Sequence, residues 1–240
     1  MEQIVATTTV GRLVAEQPAR SRVFERMGID YCCGGKVTLE KAVSRKELDL
    51  RDVLDALAAC DAEEGAEDQA GWSHATVSEL VDHIVKVHHG YLNEELPQLS
   101  YLVNKVCRVH GGDHPELREV HNSFEDLKAD LFAHMAKEEH ILFSLCLGLE
   151  TAGVAPRSHC GTVENPIRVM ELEHQDAGHA LERLRELTNG YAPPEGACNS
   201  YRAMLARLEA LEGDMHHHVH KENNILFPRV AALEKELAPA

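Results

Sequence analysis

Long apolar runs are missing from this 240-residue sequence. None approaches the roughly 20 residues that a membrane-spanning helix needs, which excludes a helical membrane protein. The basic start and apolar stretch of a secretory signal are also missing, since the chain opens Met1-Glu2-Gln3-Ile4-Val5, and the sequence therefore reads as cytoplasmic. Seven cysteines are an odd number, and their spacing has nothing of a secreted disulfide framework. Clustered Lys and Arg are scarce, and the formal net charge is −16. A nucleic-acid surface is thereby disfavoured, because neutralising phosphates requires basic clusters. The acidic balance suits a solvated surface and would attract cations. Strand-like alternation is nearly absent as well, and the expected fold class is all-α.

What the sequence does have is sixteen histidines and four long helical periods. The first sixty residues read as short helices broken by turn signals. Residues 10–16 stop at Pro18, residues 20–27 stop at Gly28, and Thr38 stands as an N-cap before Leu39. Between them, Asp30-Tyr31-Cys32-Cys33-Gly34-Gly35-Lys36 must be a turn. A further amphipathic stretch runs over 50–59. The following residues are acidic, small and almost free of apolar side chains. This organisation predicts a small helical N-terminal domain over 1–65, an acidic linker over 66–75, and a bundle over 76–240. The four long segments cover about 76–109, 115–149, 164–189 and 199–237, separated by Gly- and Pro-rich breakers, and they predict a four-helix bundle. Pro97 and Pro228 are expected to kink their helices.

Two of those segments carry nearly one phrase: His134-Met135-Ala136-Lys137-Glu138-Glu139-His140-Ile141-Leu142-Phe143 and His218-Val219-His220-Lys221-Glu222-Asn223-Asn224-Ile225-Leu226-Phe227. Residues four apart on a helix share a face, so each His-x-x-x-Glu can present both side chains to one metal ion. The flanking apolar residues put that face in the core. Leu127, Leu131, Glu138, Ile141, Leu142 and Leu145 fall near one side with His134, as do Leu208, Leu211, Met215 and Ile225 with His218 and Glu222. A buried carboxylate without a partner is costly, and helix bundles satisfy such carboxylates with paired metals. Imidazole with carboxylate suits iron, manganese or zinc. In the third segment the stripe Ile167, Met170, His174, Ala177, Leu181 and Leu184 puts His174 on the core side, with Glu173 one residue off it. In the first segment Leu99, Leu102, Val103 and Val106 lead to His110. One region higher, periodicity places His88 near the centre of the stripe Val77, Val81, Ile84, Leu92 and His89 at its edge, and it does not choose between them. His114, His140, His216, His217 and His220 read as surface residues. Cys60, Cys107, Cys146, Cys160 and Cys198 show no pairing logic.

Together these phrases resemble the haemerythrin-like di-iron proteins for repair of iron centres, also called ScdA-type iron-sulfur cluster repair proteins. The resemblance rests on Asp30 to Lys36, on Leu80-Val81-Asp82-His83-Ile84, on the two repeated phrases, and on Met170-Glu171-Leu172-Glu173-His174. It implies a haemerythrin-like bundle holding two carboxylate-bridged non-haem irons, with an oxo or hydroxo bridge among the expectations. The implied ligands are His89, His110, His134, Glu138, His174, His218 and Glu222, which prefers His89 over His88. Glu173 is implied as a supporting acid that does not bind metal. Cys32 and Cys33 are implied as a redox or iron-transfer pair, which fits exposed thiols in a Gly-rich turn. The implied function is repair of iron-sulfur clusters damaged by nitrosative or oxidative stress, through supply of iron to damaged client proteins. Alternatives are reduction of nitric oxide at the two irons, or reversible binding of dioxygen or nitric oxide. A homodimer is the assembly expected, if any.

Overall fold

The computed structural model describes residues 4–63, 72–152 and 161–237. Its regular structure is helical, and an isolated antiparallel bridge joins Thr9 to Thr38. The N-terminal helices are α1 (Val10–Glu16), α2 (Ser21–Arg26), α3 (Leu39–Arg45) and α4 (Leu50–Glu63). The long helices are α5 (77–110), α6 (117–152), α7 (Glu164–Leu187) and α8 (199–237). Most of the expected linker, residues 66–71, lies outside the described residues, as does Cys160. Trp72–His74 form a single 3₁₀ turn before α5.

The N-terminal helices are too short to hold alone, and polar ties supplement their apolar packing. Buried Arg20 donates to both oxygens of Asp61 (2.9 and 2.6 Å) and to the Leu13 carbonyl (3.1 Å), joining α1, α4 and the turn between α1 and α2. Asp30 organises the cysteine turn by accepting from the backbone N–H groups of Cys32 and Cys33 at 3.0 Å and of Gly34 at 2.8 Å. The unit sits on the bundle through Asn224 of α8, whose Nδ2 donates to the carbonyls of Cys32 (3.0 Å) and Tyr31 (3.3 Å). Gly11 and Gly35 flank that amide so closely that a Cβ on either would lie 2.2 or 2.0 Å from Asn224 Oδ1.

In the bundle, α5 begins with a reciprocal cap. The Thr76 hydroxyl accepts from the Glu79 N–H, and Glu79 accepts from the Thr76 N–H. Glu150 of α6 accepts from the Val77 and Ser78 N–H groups and secures the same end. Helix α5 continues past Pro97, which lies within it. Three π turns interrupt the long helices: Ile84–His89, Glu138–Leu142 and Glu222–Leu226. Pro228 follows directly on the third. A π turn bonds i to i+5 and adds one residue, so within it the residue five positions on shares a face.

That shift has visible effects. Ile84 and His89 are both buried, whereas Ile141, expected in the core, is 40% exposed and Phe143 takes its place at 2%. Two apolar clusters result. One joins the N-terminal unit to Leu92, Leu131, Met135, Ala177, Leu211 and Met215. The other gathers Ile84, Leu142, Phe143, Met170, Leu226 and Phe227. Between them along each helix lies a buried polar layer.

Replacing a helical glycine by alanine ordinarily stabilises a helix by about 0.5–1 kcal/mol. Gly11→Ala should do the opposite and cost about 1–3 kcal/mol, because the new methyl meets Asn224 in a packed interface. Equilibrium denaturation measures this, and adding Asn224→Ala should recover part of the loss.

Candidate metal centre

The polar layer consists of His89 from α5, His134 and Glu138 from α6, His174 from α7, and His218 and Glu222 from α8, all of them buried. Their ligating atoms form two groups in which every atom lies within 4.8 Å of the others: His89, Glu138, His218, Glu222, and His134, Glu138, His174, Glu222. Both glutamates belong to both groups. Each group thus offers two imidazole nitrogens and an oxygen from each of two shared carboxylates.

The distances trace the layer. Glu138 Oε2 lies 3.4 Å from His89 Nε2 and 3.3 Å from His134 Nε2. The Glu222 oxygens lie 3.1 Å from His174 Nε2 and 3.2 Å from His218 Nε2. His134 Nε2 and His174 Nε2 face each other at 3.1 Å. Three of these imidazoles have their protons directed outward. His89 Nδ1–H donates to Glu139 (2.8 Å), His134 Nδ1–H to Glu173 (2.9 Å), and His174 Nδ1–H to the Asn223 side-chain oxygen (2.9 Å). The Asn223 orientation follows from its Nδ2, which donates to the Cys32 carbonyl (3.4 Å). With Nδ1 protonated, the neutral rings turn bare Nε2 lone pairs toward one another and toward two carboxylates. Such an arrangement requires positive charge, carried either by protons on the Nε2 atoms or by bound cations.

Electrostatics agree. Burial pushes the Glu138 carboxyl up and Glu222 adds to that, yet His134 and His89 outweigh both and hold it below its ordinary value. Glu222 is held well below it against burial, by His218 and His174. Burial pulls His134 down, but Glu138 and Glu222 raise it to about 9. Both oxygens of Glu138 and one of Glu222 are fully buried with no hydrogen bond among the described residues. The donor set therefore fits a pair of cations, each with mixed nitrogen and oxygen ligands.

His110 is not part of this layer. It ends α5, half exposed, with Nε2 3.2 Å from Cys198 Sγ and its ring against Tyr201. Both the apolar stripe and the family resemblance pointed to it, but it lies more than five helical turns beyond His89, far from the layer. Both His88 and His89 are buried, but only His89 points at the carboxylates. His88 stacks on His218 at 5.1 Å, bonds Asp214 through Nδ1 (2.9 Å) and accepts from Lys221 (2.8 Å). His220, read as a surface residue, is buried against the Tyr31 ring. His140 and His217 are exposed, while His114 and His216 are half-buried.

Glu173 is no ligand here: it links His134 to Lys137. Glu139 and Asn223 escaped the sequence reading. Their signal was present, since each follows the shared glutamate in its copy of the repeated phrase. The two Phe residues of the repeat also belong to the site, Phe143 stacking on His89 and Phe227 on His174. Cys32 is buried and Cys33 half-buried, not exposed as their Gly-rich turn suggested, because the turn packs beside α7, with Cys33 Sγ 3.5 Å from the His174 carbonyl and 4.0 Å from Cys32 Sγ. The Cys32 S–H lowers the Cys33 thiol pKa, against burial, whereas Cys32 is raised.

Because the glutamates are shared and the histidines are not, substitutions should separate by metal stoichiometry. Glu138→Ala or Glu222→Ala should abolish binding at both positions, whereas His89→Ala or His134→Ala should leave about one ion and His110→Ala the full complement. Asn223→Ala should weaken the position of His174 by about 10–100-fold, the usual effect of removing a ligand's outer hydrogen-bond partner. Metal analysis with chelator competition reads all six.

Sequence comparisons place this geometry among known proteins. Residues 6–61 match ScdA_N, described as a domain of unknown function, and residues 80–230 match the hemerythrin HHE cation binding domain. A protein named "Probable iron-sulfur cluster repair protein" from Haemophilus influenzae is 35% identical, over 94% of this chain and 97% of its own length. Proteins named "Iron-sulfur cluster repair protein YtfE" are 38% identical, over 94% of this chain and 97% of their own in Enterobacter sp. and over 92% and 95% in Edwardsiella ictaluri. With the two-part match running in the same order as the helical unit and the histidine–glutamate bundle, the chain belongs to the haemerythrin-like, ScdA-type family of iron-sulfur cluster repair proteins.

Proposed function

We propose that this protein repairs iron-sulfur clusters damaged by nitrosative or oxidative stress, in the cytoplasm, by supplying iron from a di-iron centre. The irons would be held by His89, His134, Glu138, His174, His218 and Glu222. The observation that carries this reading is the pair of donor groups sharing two buried glutamates. Bound there, iron would supply a redox-active ion that can also leave, since imidazole and carboxylate hold it without thiolate.

The chain's own groups divide the work of holding and releasing. Glu139, Glu173 and Asn223 hold the ring protons outward and keep three imidazoles aimed. The Phe143 and Phe227 rings and the apolar clusters exclude water from both sides. On the remaining side a cavity of about 820 Å³ reaches His174, Cys32 and Cys33 from the surface. Release is directed there, toward the thiols. No helix among the described residues is long and apolar enough to cross a membrane, and the clients would be damaged iron-sulfur proteins, as the relatives' names indicate for those proteins.

The test is anaerobic reconstitution of an apo iron-sulfur enzyme with a sulfide source, using protein loaded with isotopically labelled iron. Client activity should return in step with loss of bound label and transfer of that label to the client, and Glu222→Ala protein should transfer none. If the client recovers while the label stays in the bundle, or recovers no better than with the same amount of free ferrous ion, iron supply is refuted.

A further inference from the structure

Outside the bundle layer, one more cluster of metal-ligating atoms stands among the described residues: Asp30, Cys32 and Cys33, all within 4.8 Å of one another. We propose that these three residues form a separate mononuclear site for a borderline-to-soft divalent cation, ferrous iron above all, through which iron passes between solvent and the bundle. This rests on the iron-supply reading for its use and on geometry for its existence.

The geometry is that of a ligand set. A tetrahedral ion with thiolate bonds of about 2.3 Å separates its two sulfurs by about 3.8 Å. The two Sγ atoms stand 4.0 Å apart, and Asp30 Oδ1 lies 3.3 Å from Cys32 Sγ, near the sulfur–oxygen edge of the same tetrahedron. A disulfide would instead need the sulfurs to close to about 2.05 Å in a strained ring between adjacent residues. The reduced pair thus stands closer to chelation than to oxidation. Asp30 is fixed for the purpose: the Cys32 and Cys33 N–H groups hold Oδ1 and the Gly34 N–H holds Oδ2, which keeps the carboxylate beside both thiols.

A second observation points to a ligand at this place. The cysteines lie between two cavities. The one of about 820 Å³ is lined by Asp30 and both cysteines, and its acidic side chains Glu25, Glu182, Glu209 and Glu212 outnumber Lys46 and Arg185, which favours cations. The other, of about 80 Å³, lies on the bundle side between both cysteines and Asn223, the residue that holds His174. Lys36 and Glu171 close its rim at 2.6 Å. Three protein donors leave a fourth position open, which suits an ion that must be handed on. On binding, a divalent ion gains two metal–sulfur bonds and one metal–oxygen bond. The thiol protons pass to solvent, and no electron is transferred.

Cobalt(II) tests this in the full-length protein under anaerobic conditions. The metal-free protein is titrated with three equivalents of cobalt, two of which fill the bundle. The third should bring thiolate-to-cobalt charge-transfer absorption, which a histidine–carboxylate centre lacking sulfur cannot give, at the intensity of about one ion. Cys32→Ser and Cys33→Ser should each lose the charge-transfer band while keeping the two cobalt ions of the bundle and helical circular dichroism. Two results overturn the site: no thiolate band at three equivalents of cobalt, or a band that survives both substitutions and so belongs to other cysteines. A variant that loses its bundle cobalt is replaced by Asp30→Asn, which should weaken binding of the third ion at least tenfold; unchanged affinity also overturns the site. Client repair plays no part in this readout. Failed iron supply would leave the cobalt spectrum intact, and a missing site would leave iron supply to be judged by its own transfer assay.

Discussion

Two carboxylates, Glu138 and Glu222, are buried completely and face one another across the bundle, and the rest of the structure is arranged around the cost of keeping them there. Moving one carboxylate out of water costs several kcal/mol even after relaxation, and each raises the cost of ionising the other. Only positive charge placed between them relieves both. Four imidazoles surround the pair, and three have their protons tied outward to Glu139, Glu173 and Asn223. The rings can therefore act as neutral donors toward a metal, or carry protons when none is present. The cation-binding layer in turn explains why the core divides into two apolar clusters instead of running unbroken through the bundle.

The π turns are the backbone's answer to this requirement. They are rare in proteins and concentrate at functional sites, and here all three lie at the polar layer, in the three helices that contribute His89, Glu138 and Glu222. In α6 and α8 the shared glutamate is the first residue of the turn. The extra residue lets Glu138 face the layer while Phe143, five positions on, returns to the same side and packs on His89. Glu222 and Phe227 repeat the device against His174.

This separates what the sequence could convey from what it could not. The bundle, the repeated His-x-x-x-Glu phrases and His174 were legible because their stripes keep the α period up to the point of contact. The choice between His88 and His89 was not, because residue i+4 from Ile84 is His88 and residue i+5 is His89, and a projection at 3.6 residues per turn favours the first. Ile141 was misjudged for the same reason. His110 shows a different limit. A stripe tells which face a residue occupies but not its height along the bundle, and at that height its neighbours are Cys198 and Tyr201. His220 was hidden because the contact that buries it comes from Tyr31, almost two hundred positions away in the chain.

The repeat also makes a difference between the two halves of the centre apparent. Glu139 and Asn223 are equivalent in the two phrases, and each holds the imidazole of a neighbouring helix, but one is an anion and the other a neutral amide with a second bond to make. Asn223 spends that bond on the Cys32 carbonyl. Likewise Glu173 precedes His174 and holds His134, whereas His88 precedes His89 and only stacks on His218, whose Nδ1 has no hydrogen bond among the described residues. The half containing His174 is therefore tied to the cysteine turn of the N-terminal unit, through the Asn223 amide and through Cys33 Sγ on the His174 carbonyl, and the half containing His89 has no such tie in these contacts. A displacement of Cys32 or Cys33 would therefore be felt at Asn223 and at the His174 backbone, on one side of the centre only among these contacts.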